Sequence, residues 1–123
     1  MFKATLTLAL ALGAGLLAPR ADVTAFDLAL NGAERALAAG ELPRAHLLVM
    51  RALERDSKSP QAWSVRARWA AAAGERDEQI YALHKQLRLL EVQKAPKAQV
   101  AALRSELLTL DPVSAEEIGR AHV

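Results

Sequence analysis

The residues of this chain that could support metal binding are few and dispersed. The histidines are His46, His84 and His122, and none has a second histidine three or four residues away. A pair at that spacing places two ligands on one face of a helix, so a metal site has no local support. We interpret His46 and His84 as surface or partly buried side chains rather than ligands.

Acid-base and nucleophilic chemistry has equally little support. The run Glu75-Arg76-Asp77-Glu78 is the best approximation to paired carboxylates, but we interpret it as an acidic helix start whose carboxylates satisfy free backbone N–H groups. The absence of cysteine excludes a disulfide scaffold and a cysteine-based zinc site. There is no glycine-rich phosphate loop, Gly-x-Ser-x-Gly or His-Glu-x-x-His motif. The sequence therefore predicts a protein without catalysis, cofactor or metal.

The composition favours helices and argues against nucleic-acid binding. Ala and Leu make up 48 of the 123 residues, against 6 Gly and 5 Pro. The chain has 16 basic and 14 acidic residues. Three of the basic residues (Lys3, Arg20 and Arg120) and one acidic residue (Asp22) lie in the terminal segments, so residues 26–117 contain 13 of each sign. A near-neutral domain lacks the concentrated basic face that neutralises phosphates.

The N-terminus has the three parts of a secretory signal peptide. A charged start precedes an uncharged Ala/Leu run over residues 4–18, and Val23-Thr24-Ala25 offers small residues at the positions that signal peptidase reads. We expect residues 1–25 to be a signal peptide cleaved after Ala25, with Ala21 as the lesser alternative. The run is shorter than the roughly 20 apolar residues of a membrane-spanning helix. We therefore expect no stable membrane span after cleavage and an exported protein, periplasmic or secreted.

The C-terminus resembles a sequencing artefact. Residues 118–123 equal the translation of a common short-read adapter, ATC GGA AGA GCA CAC GTC, which is followed by a stop codon. We expect the natural coding sequence to continue past Glu117, and the alternative is a natural frayed tail. Ser114 and Glu117 have capping-box spacing, so residues 113–117 predict the start of a further helix.

The middle of the chain repeats with a period of 34 residues. Gly40-Glu41 recurs as Gly74-Glu75. The same offset pairs Ala29 with Trp63, Ala33 with Ala67, Ala36 with Ala70, Val49 with Leu83 and Leu53 with Leu87. A fixed period of this length is typical of helical repeat proteins.

Residues 26–90 resemble the tetratricopeptide repeat family. The resemblance rests on Ala33, Gly40, Ala45 and Ala52 in the first copy and on Trp63, Ala67 and Gly74 in the second. In that family small residues let paired helices approach each other, and a glycine turns the chain between them. The resemblance implies an all-α fold of antiparallel helix-turn-helix repeats, a fragment of a right-handed solenoid, over residues 26–112. It also implies a protein or peptide partner.

The resemblance has four departures, and a plain alanine-rich helical bundle is the alternative fold. Gln79 and Gln86 stand where small apolar residues recur in the family, and Gly32 and Arg66 stand where a large apolar residue is usual. These departures bear on the closeness of packing more than on the fold.

Five helices are expected, near residues 26–39, 42–55, 61–73, 77–92 and 97–110. Gly40 and Gly74 can end helices in the left-handed conformation. Ser59 can cap the helix that Pro60 opens, and Thr24 with Asp27 can cap the first helix, a cap that cleavage after Ala25 would remove.

The predicted core consists of apolar residues that recur at spacings of three and four. Its members are Leu47, Leu48, Val49, Met50, Leu53, Trp63, Val65, Trp69, Ile80, Leu83, Leu87 and Leu90. The fifth helix has an apolar stripe that must cover a neighbouring helix, formed by Val100, Leu103, Leu107 and Leu110. Trp63 matches the packing aromatic of the family. Trp69 lies six residues further along, and we expect it to cover the next helix rather than to contact a ligand.

The candidate partner groove lies on the inner surface that the first helix of each pair lines in the family. Here that surface offers Leu30, Glu34, Leu37, Gln61, Ser64, Arg68 and Ala71, of which Glu34, Leu37, Ser64 and Arg68 are the candidate contacts, with Glu34 and Arg68 in the lead. Its mixed, mostly small side chains suit an extended or helical peptide.

Three functions fit these features. The favoured one is an exported protein-protein interaction module. The second is the N-terminal repeat domain of a larger exported enzyme, such as a hydrolase or peptidase, whose catalytic part follows Glu117. The third is a purely structural helical domain or a spurious short product. Fold alone does not choose between them.

Overall fold

The structure, a computed structural model, describes residues 23–112, which form five α-helices and no strand. The helices are α1 (Ala25–Ala38), α2 (Leu42–Arg55), α3 (Pro60–Ala73), α4 (Arg76–Val92) and α5 (Lys97–Leu110). Short turns make α1 and α2, and then α3 and α4, antiparallel pairs, while α2 packs on α3 and α4 on α5. The predicted all-α helical-repeat fold is confirmed. Residues 1–22 of the expected signal peptide, the expected helix start at 113–117 and the adapter-like residues 118–123 lie outside the described residues.

The turns inside the two pairs are built alike. Gly40 and Gly74 have φ values of 78° and 75°, the left-handed region that a residue without Cβ enters at no steric cost. The next backbone N–H closes each helix end, from Glu41 to the Ala36 carbonyl at 2.9 Å and from Glu75 to the Ala70 carbonyl at 2.8 Å. The 34-residue period thus appears in the backbone conformation as well as in the sequence.

The turn after α4 has the same shape without a glycine. Lys94 has a φ of 57°, and among residues 23–112 no other non-glycine residue has a positive φ. The Ala95 N–H donates to the Leu90 carbonyl at 2.9 Å, as in the two glycine turns. A residue with a Cβ is strained in this region by about 1–2 kcal/mol.

The predicted helix starts are confirmed at α1 and α3. Thr24 and Asp27 form a capping box: the Thr24 Oγ1 accepts from the Asp27 N–H at 3.1 Å, and the Thr24 N–H donates to Asp27 Oδ2 at 3.1 Å. Ser59 Oγ accepts from the Ala62 N–H at 3.2 Å, and Pro60 opens α3 at a position that needs no N–H donor.

The core is built largely from alanines at the helix crossings and leucines around them. The repeat-defining residues Ala33, Ala45, Ala52, Trp63 and Ala67 are all buried. Leu48, Met50, Ile80, Val100 and Leu110 are half-buried and pack against the core. Leu47 was expected in the core and is 52% exposed. The run of four apolar residues from 47 to 50 is wider than the face that α2 buries, so one of them must point outward.

The two tryptophans join α3 to its neighbours in different ways. Trp69 packs on the start of the preceding helix, where its Nε1 donates to the Leu42 carbonyl at 2.9 Å and its ring lies 4.2 Å from that of His46. The prediction that Trp69 covers the next helix is therefore wrong, because its ring packs on the preceding helix α2. Trp63 is buried, as expected, and its Nε1 donates to the Ser57 carbonyl at 2.8 Å.

None of the helices in this described stretch combines the length and the apolar character that crossing a membrane requires.

Candidate functional site

The residues singled out for metal or acid-base chemistry are dispersed over the fold. His46 stacks on Trp69, and no group of His, Asp and Glu within residues 23–112 could hold a metal ion. Glu78 forms an ion pair with Arg66 of α3, while the Glu75 side chain makes no capping hydrogen bond. Asp77 and Glu78 do lie in the first turn of α4, where negative charge is favourable. His122 lies outside this part of the chain.

Arg66, which departs from the family pattern, has a packing role. Its guanidinium carbon lies 5.1 Å from the centroid of the buried Trp63 ring and 5.6 Å from that of Tyr81. The two rings meet edge to face at 5.7 Å. The guanidinium is thus held over aromatic faces and paired with Glu78, so its aliphatic stem replaces a large apolar residue.

The two lead contact residues of the predicted groove pair with each other. Arg68 Nη2 of α3 donates to Glu34 Oε2 of α1 at 3.2 Å. These positions are 34 residues apart and are therefore equivalent in the two copies. Because their side chains are 56% and 35% exposed, the pair contributes at most about 1 kcal/mol to stability. It joins α1 to α3 across the inner face and occupies part of the surface predicted for a ligand.

The other predicted groove residues are divided between the core and the surface. Leu30 is buried in the core, and Leu37 is half-buried on α1. Ser64 and Arg68 line a cleft further along the molecule, together with Gln61 and Ala71. The structure therefore brings the α3 candidates together at one cleft, whereas Glu34 reaches its edge only through Arg68.

This cleft lies between α3 and α5, with α4 as its floor. Its first part has a volume of about 460 Å³. The lining comes from three helices: Ser64, Ala67, Arg68 and Ala71 of α3, Gln79, Leu83 and Gln86 of α4, and Gln99, Ala102, Leu103 and Glu106 of α5. We call it the interhelix cleft. A volume of this size lies within the range of ligand-binding pockets.

The interhelix cleft continues toward the starts of α3 and α5. This second part, also about 460 Å³, is lined by Ser59, Pro60, Gln61, Ser64, Gln86, Leu90 and Gln99, and it shares Ser64, Gln86 and Gln99 with the first part. Along α3 the lining runs from Ser59 to Ala71, which at the helical rise is a length of about 18 Å.

Two long side chains explain why the cleft exists at the second repeat. In the first copy the floor positions are Ala45 and Ala52, both fully buried, and Cα atoms of α1 and α3 approach within 8 Å of each other. At the equivalent positions Gln79 and Gln86 are half-buried, and no Cα atom of α3 lies within 8 Å of one in α5. Alanine permits close approach of the neighbouring helices, whereas a glutamine side chain takes up volume between them and keeps α3 and α5 apart.

Buried leucines and exposed polar contacts attach α5 to α4 beside the interhelix cleft. Leu103 and Leu107 are buried in the core. Arg104 forms an ion pair with Glu91 of α4, and Arg76 donates to the Leu110 carbonyl at the end of α5. The buried leucines therefore provide most of the attachment, since the Arg104–Glu91 pair is exposed and contributes at most about 1 kcal/mol.

The polar groups that face the interhelix cleft are mainly amides. Within residues 23–112, the side chains of Gln79, Gln86 and Gln99 form no hydrogen bond with another residue. A glutamine side chain offers two N–H donors and one carbonyl acceptor. The charges on the lining are those of Arg68, already paired with Glu34, and Glu106 on the opposite wall. The cleft therefore offers neutral donors and acceptors rather than a charged field.

Comparison of the chain with protein-family models, with curated proteins and with solved structures found no match. The tetratricopeptide assignment accordingly stays a prediction. Sequence reasoning missed Gln99 and Glu106 as cleft residues, since periodicity alone does not tell how far α5 stands from α3. Gln79 and Gln86 carried a readable signal, because both are long residues at positions where the repeat pattern has small ones.

Proposed function

We propose that this chain is an exported interaction module of the tetratricopeptide type that binds a protein or peptide and has no catalytic activity of its own. The interhelix cleft is the observation that carries the proposal. It is about 18 Å long by the helical rise, has walls on two helices and a floor on a third, and is lined by several glutamine amides.

The cleft suits a polypeptide better than a small metabolite. It is open along its length, and its lining combines small apolar residues such as Ala67 and Ala102 with amides and a hydroxyl. A groove of this kind can accept a chain segment that enters at one end and leaves at the other. A compact ligand would leave most of the lining uncovered.

Selection from a displayed library of random linear peptides tests the binding function. We expect enriched peptides whose addition shifts the backbone amide resonances of Ser64, Gln86 and Gln99 in a ¹⁵N-labelled sample. The matched variant is Ala71→Trp, which places a large side chain on the α3 wall of the cleft, and the control is Ala72→Trp on the exposed part of α3. The proposal is wrong if no peptide is enriched, or if the enriched peptides bind both variants equally.

The export part of the proposal rests on the N-terminal pattern and has its own test. Material secreted by a bacterial host should lack the residues that precede the cleavage site, as measured by intact mass. Cleavage after Ala25 would remove Thr24 and place a free amino group at the start of α1, where positive charge is unfavourable. Cleavage after Ala21 would keep the observed capping box. A mass that includes Met1 in the secreted fraction would contradict export by cleavage.

A further inference from the structure

We infer that the pocket between α1 and α2 binds a large aromatic side chain of a partner protein, with an acidic residue of that partner beside it. We call it the first-repeat pocket. Its volume is about 400 Å³, and it is lined on α1 by Ala25, Leu28 and Ala29 and on α2 by Leu48, Arg51, Glu54 and Arg55. It shares no lining residue with the interhelix cleft. The inference therefore goes beyond the proposed function.

The second copy of the repeat fills the equivalent space with an aromatic ring of its own. The 34-residue offset places Trp63 of α3 at the position of Ala29 in α1. Trp63 is 7% exposed, and its ring meets that of Tyr81 of α4 edge to face, with the centroids 5.7 Å apart. An indole thus lies between the two helices of the second pair. The first pair has only a methyl group at this position, and a pocket remains there.

The cation that covers the Trp63 ring has a counterpart in the first-repeat pocket. Lys85 Nζ lies 5.9 Å from the centroid of the Trp63 ring. The equivalent residue on α2 is Arg51, which lines the pocket, and a guanidinium attracts an aromatic face as an ammonium does. Arg66 also covers the Trp63 ring, at 5.1 Å, and its equivalent is Gly32. The first pair therefore keeps a cation for a ring and lacks the ring itself.

The pocket exposes apolar surface that the second copy buries. Leu28 is 63% exposed, whereas Ala62 at the equivalent position is buried. Leu48 on the opposite wall is half-buried and packs against the core. A ring placed against Leu28, Ala29 and Leu48 removes this surface from water, which is a favourable change. Because the Leu28 side stays open to solvent, the pocket covers one ring and leaves its attachment outside, as for an aromatic side chain that projects from a partner protein.

The charges of the pocket favour an acidic residue next to the ring. Arg51 and Arg55 carry two positive charges and Glu54 carries one negative charge, so the lining has a net charge of +1. Neither arginine forms an ion pair with another residue of the described range 23–112. A carboxylate of the partner can therefore pair with a guanidinium that needs to leave no other acid.

The probe is the capped peptide acetyl-Trp-Asp-Gly-amide, titrated into the purified ¹⁵N-labelled protein. We expect saturable shifts of the backbone amide resonances of Ala29 and Leu48 and of the side-chain Nε–H resonance of Arg51. One comparison peptide has Asn in place of Asp, which removes the charge, and the other has Leu in place of Trp, which removes the ring. Each should bind about two- to five-fold more weakly than the probe.

Variants of the protein test whether the ring enters the pocket. Ala29→Trp gives the first copy the indole that the second copy has, so we expect a higher Tm and loss of probe binding. Arg51→Met removes the guanidinium while keeping the side-chain length, and it should weaken probe binding about two- to five-fold. Arg44→Met is the matched control, because it makes the same change on the exposed surface of α2 outside the pocket. Circular dichroism establishes that each variant is folded.

Several results would overturn the inference. Equal affinity for either comparison peptide would mean that the pocket does not select a ring beside a carboxylate. Equal affinity of the Arg51 and Arg44 variants would remove the cation from the site. If the pocket resonances do not shift, or if folded Ala29→Trp binds the probe as tightly as the unaltered protein, the ring does not enter the pocket. None of these results bears on the interhelix cleft, whose test follows the resonances of Ser64, Gln86 and Gln99.

Discussion

Replacing Lys94 by glycine should stabilise the protein. Lys94 occupies the left-handed turn position that glycine occupies at residues 40 and 74. Its Cβ costs about 1–2 kcal/mol in that conformation, and glycine removes this cost. Glycine also makes the unfolded chain more flexible, which offsets about 0.4–1 kcal/mol of the gain. The net expectation is an increase of roughly 0.5–1 kcal/mol in the free energy of unfolding.

The expected change is large enough to measure by thermal and urea denaturation followed by far-UV circular dichroism. For a domain of 60–100 residues, 1 kcal/mol shifts Tm by about 4–8 °C, so Lys94→Gly should raise Tm by roughly 2–8 °C. The hydrogen bond from the Ala95 N–H to the Leu90 carbonyl does not involve the lysine side chain and remains. The urea m-value should stay unchanged, because the surface exposed on unfolding is the same.

Two matched substitutions test the reasoning behind Lys94→Gly. Lys58→Gly makes the same change in a turn where φ is negative, and it should lower stability because only the unfolded-state effect remains. Gly74→Ala makes the reverse change at a left-handed position with no atom within 4 Å of the new Cβ, so backbone strain alone should destabilise it, by about 1 kcal/mol. An unchanged or lower Tm for Lys94→Gly, with Gly74→Ala neutral, would refute the strain argument.

Four further substitutions have expected outcomes that denaturation can check. Gly32→Ala places a Cβ 3.1 Å from the Cδ1 of Leu48. Because this flexible end of the leucine side chain can move away, the variant should be more stable by the helix-propensity difference of about 0.5–1 kcal/mol. A lower Tm would show that Leu48 is fixed. Thr24→Ala removes the α1 cap and should cost about 1 kcal/mol, and no loss would mean that α1 frays there. Leu107 is 1% exposed, and Leu107→Ala should lower the free energy of unfolding by about 2–5 kcal/mol. Leu108 is 54% exposed, and Leu108→Ala should change it by no more than about 0.5 kcal/mol. Similar changes for the two variants would contradict the assigned burial.

The helix boundaries were predictable because local chemistry determines them. Gly40 and Gly74 end helices by their φ angles, and Ser59 starts α3 with a side-chain hydrogen bond. Each of these effects depends on residues within one helical turn, so a single sequence contains the information. The 34-residue period then indicated which helices are equivalent.

The cleft was harder to predict because it depends on the distance between helices that are not adjacent in the chain. Periodicity identifies which face of α4 meets α5, but the separation of α3 and α5 depends on side-chain volume at their common neighbour. Gln79 and Gln86 contained that information. Leu47 and Trp69 show the same limit: their apolar character was evident, while the direction of each side chain depended on which face of its helix is buried in the fold.

The identical turns at Gly40 and Gly74 make this chain suited to change in length by unequal recombination. Both turns have the same sequence, Ala-Ala-Gly-Glu, at residues 38–41 and 72–75. A crossover between them would duplicate residues 41–74 and leave an intact turn at the new junction. The added unit would carry the alanines of α2, and therefore another closely packed interface. The gene could thus add helix pairs ahead of α4, while α4 and α5 stay together at the end of the row of helices with the cleft that they line.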